Sequence, residues 1–280
     1  MMKLNIEHST RYAFNKPVAY TIQQLRLTPQ DGFGQRVSNW HVKVSGKTSP
    51  QIDAFGNATH TLVMDSPHQE IIITASGEVE TDIEVPVSPV IRPDDLALPV
   101  YLRHTRLTQV NEEIRQFAHG FLPQGQIIDK DLLMALMNGI SQTVKWTKDA
   151  DDSQQSAIDA LSSGKGLSQG LAHLFIACCR VLKVPARFVH GYCFNPVSNQ
   201  LENHSWADAW LVGAGWQSFD VANNVPSNGV HVRLATGLDY RDACPISSVM
   251  RDIGHQQMSV SFKVQEMSKI QQQVQQQVQQ

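Results

Sequence analysis

Three side chains in this sequence have the types of a nucleophile, a base and an orienting acid, and each stands at the edge of a patterned segment. Ser168 opens a helical stretch, GLSQGLAHLFIACCRVLK, at residues 166–183. His204 stands immediately before the alternating run SWADAWLV, and Asp220 lies near the end of the following run, GWQSFDV. Brought together, Ser, His and Asp can supply attack, proton transfer and control of the imidazole tautomer. Taken singly, each has a plainer reading. Serine is among the best helix N-caps, and Ser168 stands where a cap is needed. His204 can cap a sheet edge, and Asp208 competes with Asp220 because period-2 counting puts it on the face of His204. His173, five residues beyond Ser168, faces elsewhere on the helix and reads as a core or supporting histidine.

The cysteines offer less. Cys178, Cys179, Cys193 and Cys244 lack both the paired C-x2-C spacing of a zinc site and the density of a disulfide scaffold, so free thiols are expected. Cys178 and Cys179 fall deep in the helix as small apolar side chains, which leaves Cys193 and Cys244 as the thiols able to approach a cleft.

The elements that must position these groups divide the chain in two. From residue 3 to about 85 the sequence runs in period-2 strands (KLNIEH, IQQLRLTP, NWHVKVSG, NATHTLVM, EIIITASGEVE) separated by turn residues, the pattern of a small β-sandwich or barrel. We therefore expect a β-domain over residues 1–90 and a Pro-rich linker over 91–100, within the run VPVSPVIRPDDLALP at 85–99. A second domain over 101–265 opens with helical stripes. Val110, Ile114, Phe117 and Ala118 form one, and Leu132, Leu133, Leu136, Met137 and Ile140 another. The helix from Ser168 follows, ended by Val184-Pro185, and then strands at 187–194, 205–212 and 215–221. Helices followed by an antiparallel sheet make the fold class α+β. Residues 266–280 form a glutamine-rich tail that composition assigns to disorder.

Charge and hydropathy exclude whole classes of function. With 23 Lys and Arg against 26 Asp and Glu, a net charge of -3, the chain has no basic excess to attract nucleic acid or an anionic membrane. No stretch approaches the roughly 20 apolar residues of a membrane span, and the N-terminus lacks a signal-peptide pattern, so a soluble, cytoplasmic protein is expected.

Several motifs in fixed order carry a family likeness: GLSQGLAH (166–173), LKVPARFVHGY (182–192), HSWADAW (204–210), GAGW (213–216), FDVANN (219–224) and GLDYRDACPI (237–246), with STRYAF, DAFGN (53–57) and ASGEVET (75–81) in the first half. With them the chain resembles the bacterial transglutaminase-like proteins, whose corresponding segments run close to G-V-C-Q-D-F-A-H, H-A-W and F-D-P-T-N-N. The resemblance implies an N-terminal β-sandwich-like domain followed by a papain-like transglutaminase core. It implies a nucleophile at Ser168, a base at His204 and an orienting acid at Asp220, with Gln169 and Trp206 beside the substrate. It also implies acyl transfer from peptide amides to water or amines, with no metal or organic cofactor, and no calcium-loop run is present. The partner it implies is a peptide or protein substrate, with association with peptide-ligating ATP-grasp proteins as a further expectation.

The sequence departs from that pattern twice. Ser168 stands in place of the cysteine, and Gly170 in place of an acid two residues later. A thiol near neutral pH needs a modest shift to ionise, whereas a serine must lose its proton in concert with attack. Three readings follow: a weak or silent relative that still binds peptides, a working Ser-His-Asp amidase or esterase, or an engineered serine form of an active cysteine enzyme. Ser168→Cys combined with Gly170→Asp is expected to recover more activity than Ser168→Cys alone.

Overall fold

Strict alternation writes the first strand. In β1 (Met2–Val18) Leu4, Ile6, His8, Thr10, Tyr12 and Phe14 all point inward, as period-2 geometry requires. The computed structural model describes residues 1–82, 96–122, 127–148, 154–251 and 256–266. After β1 come β2 (Tyr20–Leu25), β3 (Gln35–Val44), β4 (Lys47–Ile52), β5 (Ala58–Met64) and β6 (His68–Thr81). The first half of the expected linker at 91–100, residues 91–95, lies outside the described residues, and its end runs into a 3-10 turn at Leu98–Leu102.

The second half begins with α1 (Glu112–Gly120), capped by Asn111, and α2 (Lys130–Thr143), capped by Asp129. Next come the short β7 (Lys145–Trp146), α3 (Ala157–Ser163), β8 (Lys165–Gly166) and α4 (Ser168–Val181). Then follow β9 (Ala186–Asn195), β10 (Gln200–Leu211), β11 (Gly215–Asp220), β12 (Val225–Pro226), β13 (His231–Gly237), the turn of helix α5 (Tyr240–Ala243), β14 (Ile246–Arg251) and β15 (Gln256–Glu266).

The described strands make two sandwiched sheets, a third that carries the site, and a small parallel pair of β7 with β8. The sandwich pairs β15-β1-β6-β3 with β14-β2-β5-β4, around Tyr12, Phe14, Leu25, Leu62, Ile71 and Ile73. The third sheet, β12-β11-β10-β9-β13, is antiparallel throughout. The fold is therefore α+β, strand-rich, with an N-terminal sheet domain and a transglutaminase-like core. One boundary differs from the sequence reading. Residues 246–266, read as the end of the core, return to the N-terminal sheets, where β14 pairs with β2 and β15 with β1. Strand pairing is set by the open edges of β1 and β2, which local pattern does not reveal. The glutamine-rich tail beyond Glu266 lies outside the described residues.

The central helix α4 is apolar nearly all round and almost entirely buried, as a core helix must be. It packs on β9 and β10 and is flanked by α1, α2 and α3. Phe175 lies against Phe219, and the His173 ring stacks on Phe188 at 5.0 Å between centroids. Ala207 and Ala209 on β10 are small enough to let the helix approach the sheet.

Candidate active site

Ser168 is the first helical residue of α4, not its cap: the N-cap is Leu167, and no side chain caps this terminus. The helix-cap reading of Ser168 is thereby overturned. Its hydroxyl, on a residue 9% exposed, donates to Oε1 of Gln169 at 3.3 Å and to no other described residue. The turn before the helix is held from outside by Gln155. Its Oε1 accepts the Leu167 N–H at 3.3 Å, its Nε2 donates to the Lys165 carbonyl at 2.9 Å, and its own carbonyl accepts from His173 Nδ1 at 2.8 Å. His173 Nε2 then accepts the Tyr240 N–H, so this buried histidine braces the turn from within the core.

Gln155 also fills the space beside Gly170. A Cβ at that position would overlap Gln155 Oε1 and come within 2.8 Å of its Cδ. An acidic side chain at 170 must therefore displace the bonded, buried Gln155 amide before the expected gain from Gly170→Asp can be realised.

His204 and Asp220 are joined. The register of β10 with β11 sets Asp208 opposite Ser218, which puts His204, Trp206, Asp208, Ser218 and Asp220 on one face. Nε2 of His204 lies 2.9 Å from Oδ2 of Asp220. The same oxygen accepts from Nδ2 of Asn223 at 2.7 Å and from Nε2 of His231 at 2.8 Å, while Oδ1 takes the Asn223 N–H at 3.2 Å. Burial alone would raise the Asp220 carboxyl, but the hydrogen bonds from His204 and His231 outweigh it and hold the group well below the usual carboxylate range. Asp220 is thus a buried, ionised acceptor.

His231 and Asn223 are residues that sequence reasoning missed. Asn223 belongs to the FDVANN segment, where only Asp220 was singled out. His231 carries a weaker signal, a polar residue opening the alternating run HVRLATG, 27 positions beyond His204. Strand order brings it in, since β13 pairs with β9 and β9 with β10.

His204, Asp220 and His231 present three ligand atoms within 4.8 Å of one another, the donor set of a metal site. The tautomer of His231 argues otherwise. Its Nδ1 accepts the Asn228 N–H at 3.1 Å, so the proton of the neutral ring sits on Nε2, which faces Asp220 as a donor and has no lone pair to give a cation.

The remaining expected residues separate. Trp206 is 1% exposed, stacked behind His204 and edge-on to His231 at 5.1 Å, so it packs the histidines and offers no surface to a substrate. Gln169 is half-buried and engaged with Ser168. Asp208 does not reach His204: it binds Arg187, Arg233 and Ser218. Cys193 lies across the β9–β13 ladder from His231, and burial, with Asp220 and Glu202 nearby, pushes its thiol up to about 12, far from a thiolate. Cys244 donates to the Ile246 carbonyl.

A buried helix beginning at a small polar residue, set against an antiparallel sheet that carries a His–Asp pair, defines a papain-like transglutaminase core. Residues 4–80 match the bacterial transglutaminase-like N-terminal region, and residues 122–221 match the transglutaminase-like superfamily. The chain belongs to this superfamily. Among similar sequences is an uncharacterized protein of Mycobacterium leprae, 25% identical over 283 residues, covering 94% of this chain and 99% of that one. Another, from Mycobacterium bovis, is 21% identical over 276 residues, covering 89% and 87%. A solved structure from Cytophaga hutchinsonii, provisionally assigned as a cysteine protease, superposes with a TM-score of 0.76 over 96% of this chain and 91% of that one, at 22% identity, and so shares the fold.

Proposed function

We propose that this protein binds peptide amides in a transglutaminase-like cleft and performs acyl transfer there weakly or not at all. The carrying observation is the state of the two halves of the site. His204 and Asp220 are joined at 2.9 Å, while the Ser168 hydroxyl is spent on Gln169. A base oriented by an ionised acid is the costly part of such a machine to assemble, and it is intact. The nucleophile is the part that does not fit. An uncapped helix N-terminus offers N–H groups and a positive dipole end that stabilise a thiolate, but a hydroxyl near neutral pH stays protonated even there.

The test is to return sulfur to the site. In Ser168→Cys the thiolate would attack the amide carbonyl, His204 would pass its proton to the leaving amine, and water or a second amine would resolve the thioester. Iodoacetamide should label the introduced thiol at pH 6–7 at least tenfold faster than the native cysteines, and His204→Ala should abolish that advantage. The unsubstituted protein should show no turnover of a glutamine peptide with a primary amine or with water. Turnover by the native protein that disappears in Ser168→Ala would replace this reading with a serine amidase, which the intact His204–Asp220 pair favours as the second reading. A Ser168→Cys thiol no more reactive than a surface cysteine would refute both.

A further inference from the structure

On the face that carries His204, four residues along β10, lies a buried ionic cluster with more cation than anion. Asp208, wholly buried, accepts from Arg187 Nε at 2.8 Å and from both terminal nitrogens of Arg233, at 2.7 and 2.9 Å. Ser218 donates to the same carboxylate at 2.6 Å. The charge of Arg233, then that of Arg187, lowers the Asp208 carboxyl to about 2 against the opposing effect of burial, so it is fully ionised. Two guanidiniums against one carboxylate leave one positive charge uncompensated, and among the described residues no second acid pairs with either arginine.

Arg233 meets Asp208 with both terminal nitrogens and Ser218 with one of them, whereas Arg187 meets Asp208 through Nε. Its Nη2 is buried and has no hydrogen-bond partner among the described residues, on a side chain 9% exposed. An unpaired, buried donor on a cation is expensive, and such a group persists where something else completes it. Aromatic rings lie against its guanidinium. The guanidinium lies 4.2 Å from the Trp216 ring and 5.0 Å from the ring of Phe33, which also covers Arg233 at 4.2 Å. Phe33 comes from the other domain and is 56% exposed, at the tip of a two-residue turn closed by paired Gly32 and Gln35 backbone bonds. With Nε given to Asp208 and the rings of Phe33 and Trp216 lying against the guanidinium, the Nη edge of Arg187 is what remains to take a ligand. That edge has the geometry for the two oxygens of a carboxylate. Trp206, 5.8 Å from Arg233 and stacked on His204, connects the cluster to the candidate active site.

We propose that Arg187, lying against Phe33 and Trp216, is a carboxylate-binding subsite that selects peptides with a negative charge roughly 13 Å from His204, the span of four strand residues. The inference rests on the reading of this face as a peptide-binding site. The charge can come from a peptide C-terminus or from an acidic side chain, and the probes separate the two. Calorimetric titrations at low salt would use acetyl-Ala-Ala with its free C-terminal carboxylate, acetyl-Glu-amide with only the side-chain carboxylate, and acetyl-Ala-Ala-amide. At least one acidic probe should bind saturably and at least tenfold more tightly than the neutral one, and the acidic probe that binds identifies the source. Arg187→Lys keeps the ion pair with Asp208 but loses the flat edge, and should weaken binding at least tenfold. Should that variant fail to fold, titration of the unsubstituted protein labelled with 15N-arginine decides, because the acidic probe should shift a solvent-protected guanidinium signal and the amide none. Calorimetry reads binding without turnover, so the subsite can stand even where the acyl-transfer reading falls. Equal binding of acidic and neutral probes, no binding of any, an unmoved arginine spectrum, or full affinity in folded Arg187→Lys would each overturn it.

Discussion

Gln155 occupies volume that Gly170 leaves open, and the two residues have to be considered as a pair. The Gln155 amide closes the turn before α4 with two hydrogen bonds, to the Leu167 N–H and the Lys165 carbonyl. Any side chain at 170 drives it out of that position. Each buried hydrogen bond lost costs about 1 kcal/mol net, so Gly170→Ala should destabilise by about 2 kcal/mol in urea titration. Combining it with Gln155→Ala should return part of that loss even though Gln155→Ala alone is destabilising. Additivity of the two would show that the residues do not share the space. The missing acid at 170 could be read from the sequence, but its replacement from fifteen residues upstream could not, because a loop residue carries no periodicity to aim it. The same holds for the ring of donors on Asp220. His204 and Asp220 were legible through motif order, whereas His231 reaches the carboxylate through the order of strands in the sheet.

Among the elements, those with a strong period were legible and those defined by a distant partner were not. The 3.6-residue stripes of α1 and α2 and the alternation of β1 follow from burial of one face, and the helix beginning at Ser168 stands out by its unbroken apolar content. The strand β15 is different. Its residues are mostly exposed, and what holds it is an eleven-pair ladder with β1, from Leu4 opposite Glu266 to Phe14 opposite Gln256, helped by Phe262 stacked on His8 at 4.6 Å. Its partner lies some 250 residues earlier, beyond the reach of any local pattern. β1 without it would be an open edge seventeen residues long, with unpaired N–H and C=O groups that template association. Deletion of residues 256–280 should lower the melting temperature by several degrees and produce concentration-dependent aggregation, measured by scanning calorimetry and light scattering. Deletion of 267–280 alone should do neither, since it leaves the β1–β15 ladder whole. Equal behaviour of the two truncations would show that the ladder contributes nothing.

Over the whole molecule, the N-terminal domain is clasped to the core by side-chain amides that imitate a strand. The outer edge of β13 has no strand beside it in the sheet, yet its backbone groups are paired. Gln35 Oε1 accepts the Arg233 N–H at 2.8 Å while its Nε2 donates to the Arg233 carbonyl at 2.9 Å. Three residues on, Asn57 repeats the arrangement with Thr236, at 2.8 Å in both directions. Asn57 is itself held by the turn it closes, since its Nδ2 also donates to Asp53 Oδ2 at 3.0 Å and Asp53 binds Arg26. A primary amide is required at this position because it must both give and accept along one edge. Asn57→Ala removes the clasp and leaves a buried N–H and C=O unpaired, which should cost about 2 kcal/mol. Asn57→Asp is the sharper test. It is nearly the same shape, and its oxygen can still accept from Thr236, but the donor is gone and a carboxylate faces both the Thr236 carbonyl and Asp53. Asn57→Asp should therefore be the more destabilising of the two at pH 7, by about 1 kcal/mol or more, and should become the less destabilising one as the pH is lowered enough to protonate the new acid, whose O–H can then donate to the Thr236 carbonyl. Urea midpoints for both variants at pH 7 and pH 4 check this directly. If the clasp couples the domains, the native protein should unfold in a single transition and Asn57→Asp should separate it into two; an Asp variant as stable as the Ala variant at pH 7 would mean that Asn57 fills space without reading the β13 edge.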